Sequence, residues 1–274
     1  MNRPKSLRPL WRAAATLALV LGLGLGLTAC ASPGDASQTS ALTAGTTEPT
    51  DAQRRAQIRI ELAAAFLENN QPAVALEEAN RAVQADPSLA AAHNLRALAL
   101  MQLNEPALAE QSLQQALRLA PRDGDSWHNL GWLQCQQQRF AEAEQSFAQA
   151  LRSPAYATPE RTWMVQGICQ ARAGQAAAAI QSLTRAFELD PVQPVTLYNL
   201  AALHHQRNES ERARFYLRRL NQTEFANAES LWLAIRIENR LQNREAAQQL
   251  ARQLLRRFPD SRQANAYERG AFDE

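Results

Sequence analysis

Three cysteines and four histidines are the side chains of this 274-residue chain with the most chemistry to offer, and their spacing limits what they can do. His93, His128, His204 and His205 include no pair four apart on one helical face, the spacing by which a helix presents two ligands to a metal ion. They read as exposed helix positions, and no metal is expected. Glu77 with Glu78, and Glu142 with Glu144, place carboxylates close together as general acid–base chemistry requires, but on polar helical stretches they read as solvated faces. There is no Gly-x-Ser-x-Gly elbow, no phosphate-cradling loop and no His and Cys paired in a cleft motif, so neither a catalytic residue nor a cofactor is expected.

The elements that carry these residues are helical. Hydrophobic residues make up 46% of the chain but aromatics only 6%, with 10 glycines, and Ala, Leu, Gln and Arg dominate, all good helix formers without β-branching. The formal charge of +2 resides at one end: Arg3, Lys5, Arg8 and Arg12 precede the first acid, Asp35, and removing them leaves −2. A near-neutral body has no electrostatic footprint for nucleic acid. Arg212, Arg214, Arg218 and Arg219 form one local basic face; solvation is the favoured reading, with an acidic partner or lipid head groups as the alternative.

Residues 1–29 have the organisation of a secretion signal, a basic stretch followed by an apolar run from Ala13 to Leu27. The run is shorter than the roughly 20 residues a spanning helix needs and is interrupted by Gly22, Gly24 and Gly26. Leu27-Thr28-Ala29-Cys30 resembles the bacterial lipobox, which implies removal of the signal and acylation of Cys30 as the first mature residue. Ala31 stands where inner-membrane retention typically shows Asp, so the resemblance points to the outer membrane, with the bilayer engaged through several acyl chains on Cys30. Residues 30–55 are rich in Ser, Thr, Ala and Gly and read as a tether. As a random coil it spans about 25 Å.

From residue 56 an internal repeat sets the organisation. Pro87, Pro121, Pro191 and Pro259 recur at one, two and two periods of 34, with two extra residues in the turn Ser153–Pro159. In that frame the third repeat carries Trp127, Leu130, Gly131, Ala143, Phe147 and Ala150 at the signature positions of the tetratricopeptide repeat (TPR). The expected fold is all-α: a solenoid of six helix-turn-helix repeats in a right-handed superhelix, over about 56–89, 90–123, 124–159, 160–193, 194–227 and 228–262, then a C-terminal tail at 263–274. Small residues let two helices approach, large ones fill the gap beside them, and proline ends each second helix. Cys135 and Cys169 fall at slightly different positions on first helices of adjacent repeats. Helix axes about 8–10 Å apart rarely bring Cβ atoms within ~4 Å, so buried free thiols are expected even in an oxidising compartment.

The whole chain resembles the type IV pilus biogenesis lipoproteins PilF and PilW, pilotins of the outer-membrane secretin. The resemblance rests on the lipobox, six repeats, His128-Asn129-Leu130-Gly131 with Gln138-Arg139-Phe140, and the turn through Pro159-Glu160-Arg161. It also rests on the stretch Asn227-Ala228-Glu229-Ser230-Leu231-Trp232-Leu233-Ala234-Ile235-Arg236 and on Leu255-Arg256-Arg257-Phe258-Pro259. It implies a non-catalytic assembly factor whose partners are secretin subunits; an outer-membrane TPR adaptor for other envelope proteins, such as cell-wall hydrolases, is the alternative. The partner-binding positions would be those facing the concavity: Ile60, Ala64, Leu67, Asn94, Leu98, Met101, His128, Trp132, Met164, Ile168, Tyr198 and Trp232. An apolar strip rimmed by polar residues suits an amphipathic helix or extended peptide. Tight curvature would bury any one of them against a neighbouring repeat equally well.

Overall fold

The computed structural model describes residues 50–272, so the signal stretch, Cys30 and most of the tether lie outside the described residues. Six helix pairs follow one another: α1 (Asp51–Glu68) with α2 (Pro72–Ala85), α3 (Ala90–Gln102) with α4 (Pro106–Leu119), and α5 (Gly124–Gln136) with α6 (Phe140–Arg152). The remaining pairs are α7 (Pro159–Arg172) with α8 (Ala176–Leu189), α9 (Pro194–Gln206) with α10 (Ser210–Asn221), and α11 (Ala228–Arg240) with α12 (Arg244–Arg257). This is the expected all-α solenoid of helix-turn-helix repeats. None of the described helices is long and apolar enough to cross a membrane. Helix α1 reaches back to Asp51 because Thr50 and Gln53 form a reciprocal capping box that satisfies two orphan N–H groups.

Within each pair the chain turns through one residue at positive φ: Asn70, Asn104, Gln138, Gly174, Asn208 and Gln242. Each turn places the next residue's N–H on a carbonyl five residues back, as in Gln71 to Phe66 at 2.8 Å and Gln175 to Gln170 at 2.8 Å. These are Schellman closures, which satisfy carbonyls left orphaned at the helix end. Only one of the six uses glycine; the other five hold an L side chain in the left-handed region.

In five of the six pairs the two helices cross over a size exchange; the first pair has alanine at both positions, Ala63 and Ala79. A Cβ added to Gly131 would lie 2.6 Å from Phe147, and one added to Gly167 would lie 2.6 Å from Leu183 and 3.1 Å from the Ala179 carbonyl oxygen. The same two positions hold Ala97 with Leu113 and Ala201 with Leu217, all essentially inaccessible to solvent. In the sixth pair the order inverts: Ile235 takes the small position and Ala251 the large one, both buried in one cluster.

First helices touch first helices (α1 with α3, α3 with α5, α5 with α7, α7 with α9, α9 with α11), whereas no two second helices touch each other. The first helices therefore form the inner wall of the curve. Helix α13 (Arg262–Glu268) begins where a seventh first helix would, capped by Ser261, and buries Ala264 and Ala266 against Leu231, Ile235 and Leu254. The segment expected as a tail is a capping element over the last apolar face.

Two expectations are corrected here. Cys135 and Cys169 are joined in a disulfide, with Cα atoms 5.8 Å apart. With the two inserted residues, the counterpart of Cys135 in the next repeat is Ala171, so the cysteines are offset by two positions. Two residues turn a side chain by about 200° around a helix. Equivalent positions on parallel neighbours face the same way; this offset makes the pair face each other. Glu78, expected on a solvated face, is only 6% exposed and accepts from Arg59 of α1 and Arg81 of α2, each at 2.6 Å. Its charge is buried because two guanidiniums meet it there.

Cys135→Ala/Cys169→Ala should lower the unfolding free energy by about 2–4 kcal/mol, the range for a crosslink closing a loop of this size, as read from urea denaturation. Gly174→Ala should cost ~1 kcal/mol although no atom lies within 4 Å of the added Cβ, because the cost is in the backbone conformation. Gln138→Gly should act in the opposite direction.

Candidate functional site

The inner wall places nine of the twelve expected contact residues at partial exposure: Ala64, Leu67, Asn94, Leu98, Met101, Trp132, Met164, Ile168 and Tyr198. Met101, Trp132, Met164 and Tyr198 rest against the core with one flank. The Arg172 guanidinium stands 5.2 Å from the Trp132 ring centroid, a cation–π contact at the inner wall. Asn94 is held by the Asn129 amide, which donates to its Oδ1 at 2.9 Å. These nine residues form an uncharged strip, flanked at Trp132 by Arg172.

Ile60, His128 and Trp232 are buried. Ile60 packs against Ala82 and Ala92. Trp232 stacks on Phe272 at 5.4 Å between ring centroids, beneath the C-terminal segment. His128 has Nδ1 at 2.8 Å from Thr162 Oγ1, which also shares a hydrogen bond with the Tyr156 hydroxyl at 2.6 Å. Tyr156 comes from the insertion and its ring lies where a Cβ on Gly124 would be, so the lengthened turn is folded back between α5 and α7. Burial, and the nearby Arg161 charge, push the His128 pKa down to about 3. It is neutral at physiological pH.

The other histidines are also structural. His93 and His204 are buried and His205 half-buried, against the exposed positions the sequence suggested. His93 Nε2 donates to the Pro87 carbonyl at 3.0 Å, and Trp127 Nε1, one repeat on, donates to the Pro121 carbonyl at 2.9 Å. The same repeat position thus ties helix to turn with either ring. His204 bonds Glu209 at 2.7 Å and stacks on Tyr216. Among the described residues no group of three or more His, Cys, Asp or Glu is placed to hold a metal ion. The four arginines of the basic face have partners in the chain: Arg212 with Glu209, Arg214 with Glu211 and Glu238, Arg218 with Glu238, and Arg219 with the Pro191 carbonyl and the Phe187 ring.

Sequence reasoning missed the arginines of the inner wall. Arg236 occupies the repeat position of Trp132 and Ile168, where screening for charge as well as apolar residues would have found it; Arg172 lies over the Trp132 ring and Arg240 donates to Asn208. Burial, then Arg240 and Arg236, lower the pKa of His205, which locates both guanidiniums near that inner-wall ring.

Profiles described as tetratricopeptide repeat match residues 60–124, 94–159, 128–194 and 229–261. The solved structure of PilF from Pseudomonas aeruginosa aligns with 25% identity and a TM-score of 0.72, over 81% of this chain and 100% of that one. That of PilW, described as a widely conserved type IV pilus biogenesis factor, aligns with 28% identity and a TM-score of 0.70, over 77% of this chain and 97% of that one. YrrB, a TPR protein with an unusual peptide-binding site, shares the fold at 18% identity and a TM-score of 0.56, over 70% of this chain and 97% of that one. No curated protein matches the chain by sequence.

The buried neutral His128 makes stability acid-sensitive. The unfolded chain takes up a proton below its ordinary pKa of 6.5 while the folded chain does not until about 3, so stability is lost as pH falls through that window. Between pH 6 and pH 4 the wild type should lose about 1.4 kcal/mol per pH unit more than His128→Gln, in urea titrations at each pH.

Proposed function

This chain belongs to the tetratricopeptide-repeat proteins and is a non-catalytic solenoid structurally homologous to PilF and PilW, and from that premise we propose that it is an outer-membrane pilotin for type IV pilus biogenesis. It binds subunits of the outer-membrane secretin and promotes their localisation and multimerisation. The observation that carries this reading is the extent of the structural match: all of PilF and 97% of PilW are spanned by this chain at 25% and 28% identity. What is shared is therefore a complete six-repeat body, not a generic pair of helices.

The body and the anchor are separate modules in this reading. Cys30 carries the acyl chains that hold the protein to the inner leaflet of the outer membrane, and the following tether lets the solenoid reach a partner roughly 75 Å away at full extension. The partner lies on the inner wall, with half-buried apolar residues such as Leu98, Met101, Trp132 and Ile168 as its contacts. Trp132 is the strongest candidate anchor among them, because an aromatic in a partly desolvated position is the usual centre of a binding hot spot.

The test is the amount of heat-resistant secretin multimer in outer-membrane fractions from cells with and without the gene. Loss of multimer while secretin monomer is still made is the expected result; unchanged multimer sinks the pilotin reading. Cys30→Ala should leave a folded body that mislocalises the secretin, and Trp132→Ala should weaken secretin binding about tenfold or more with anchoring intact.

A further inference from the structure

One position near the start of the first helix carries a hydroxyl in four successive repeats: Ser126, Thr162, Thr196 and Ser230. Three of the four hydroxyls are engaged. Ser126 donates to Asp123, Thr162 is shared by His128 and Tyr156, and Ser230 donates to the Asn221 side chain at 2.6 Å. Thr196 is fully buried, yet its hydroxyl has no hydrogen-bond partner among the described residues. A buried polar group is normally paired, so the exception calls for a physical reason.

Thr196 lines a cavity of about 190 Å³ at the joint between the fourth and fifth repeats. Glu160, Arg161, Met164 and Ala186 line it too, and with Thr196 they are the repeat counterparts of Gly124, Asp125, His128, Ala150 and Thr162. One repeat earlier that place is filled: the Tyr156 ring lies against Gly124 and its hydroxyl meets Thr162. The cavity is therefore the Tyr156 site moved on by one repeat, without the tyrosine. The turn into α9 lacks the two inserted residues and borders the cavity with Asp190 and Gln193, whose side chains accept from the N–H groups of Val192 and Val195. A cavity of about 150 Å³ is enough for a benzene ring, so an aromatic side chain fits. The unpaired hydroxyl favours a phenol over a phenyl, and a helical threonine, which divides between two χ1 rotamers, can turn to meet it without moving the backbone. Met164 adds a thioether, a favourable neighbour for an aromatic ring, and as an inner-wall residue it sets the cavity beside the groove. The chain's own unplaced segment cannot supply the ring, since residues 1–49 contain no tyrosine.

We propose that this cavity binds a tyrosine side chain of a partner polypeptide lying along the inner wall, its hydroxyl bonded to Thr196 as that of Tyr156 is to Thr162. This rests on the inner wall being the partner-binding surface and adds a side-chain preference to it. The partner's tyrosine completes in the fifth repeat what the insertion completes in the fourth.

The methionines of the chain are Met1, Met101 and Met164, so isotope-labelled methionine methyl groups, followed by NMR, give one reporter in the cavity and another elsewhere on the inner wall. The full chain purified in detergent is titrated with N-acetyltyrosinamide and with N-acetylphenylalaninamide, which differ by one hydroxyl. The tyrosine amide should shift the Met164 methyl saturably and leave that of Met101 in place. It should bind about threefold to tenfold more tightly than the phenylalanine amide, the worth of one hydrogen bond. Thr196→Val should abolish that preference and Thr196→Ser should keep it. The melting temperature of Thr196→Val should be no lower than that of the wild type, because the hydroxyl removed has no partner. Absence of a Met164 shift, equal shifts at both methyls, or a preference that survives Thr196→Val overturns the proposal. So does a lower melting temperature for Thr196→Val, which would mean that the hydroxyl is already engaged. A wild-type dimer in light scattering that Thr196→Val disperses overturns it in favour of a second copy's tyrosine. If the secretin multimer depends on the gene but the tyrosine amide does not bind, the tyrosine site alone falls. If the amide binds as expected but the multimer is unaffected, the site stands and the secretin assignment falls.

Discussion

The close crossing of two helices inside each repeat is the constraint on which the rest of this structure depends. Two antiparallel helices of 12 to 18 residues become neighbours only where one side chain shrinks to admit the other, and a core packed to crystal-like density leaves no slack. Gly131 shrinks for Phe147 and Gly167 for Leu183. Ala97 and Ala201 do so for Leu113 and Leu217, and in the last pair Ala251 does so for Ile235. In these five pairs the joint volume is nearly constant while the identity at either position is not; in the first pair both positions, Ala63 and Ala79, are small. Because a pair alone leaves one face apolar and open, this local fit must be completed by the next repeat, and at the end of the array by α13.

That distinction explains what was legible in the sequence. The period was legible, since turn prolines and small residues recur at fixed spacing, and with it came the helix pairs and the inner wall. The sixth repeat departs from the small-then-large pattern because its small and large residues have changed places, which one residue type at one position does not reveal. The turns were silent for a similar reason: five of the six left-handed turn residues are Asn or Gln, so the glycine signal that marks such turns was present only at Gly174. His93, His128, His204 and Glu78 looked like surface residues because side-chain type alone does not reveal a partner supplied by a turn or by another helix. The site was half legible: apolar inner-wall positions could be counted off, but their burial depends on curvature, and the arginines were not sought there.

The inserted turn shows how a local irregularity is absorbed by a repeating structure. In a solenoid, stability is close to a sum of repeat terms and nearest-neighbour interfaces, so a lengthened connection between the third and fourth repeats would by itself mark the weakest joint. Three features converge on that joint. The disulfide links α5 to α7; Tyr156 folds the extra length back against Gly124; and the hydrogen-bonded chain from half-buried Tyr156 through Thr162 to buried His128 spans the same two helices. All three depend on the insertion, the first on the offset it creates between the cysteines and the other two on the tyrosine it brings. The two extra residues therefore supply the means of closing the gap they open, and the inner wall, with Trp132 on one side of the joint and Met164 and Ile168 on the other, remains a continuous surface. A partner bound across that joint meets a covalently fixed spacing between repeats, whereas at every other joint the spacing is set by packing and weaker contacts alone.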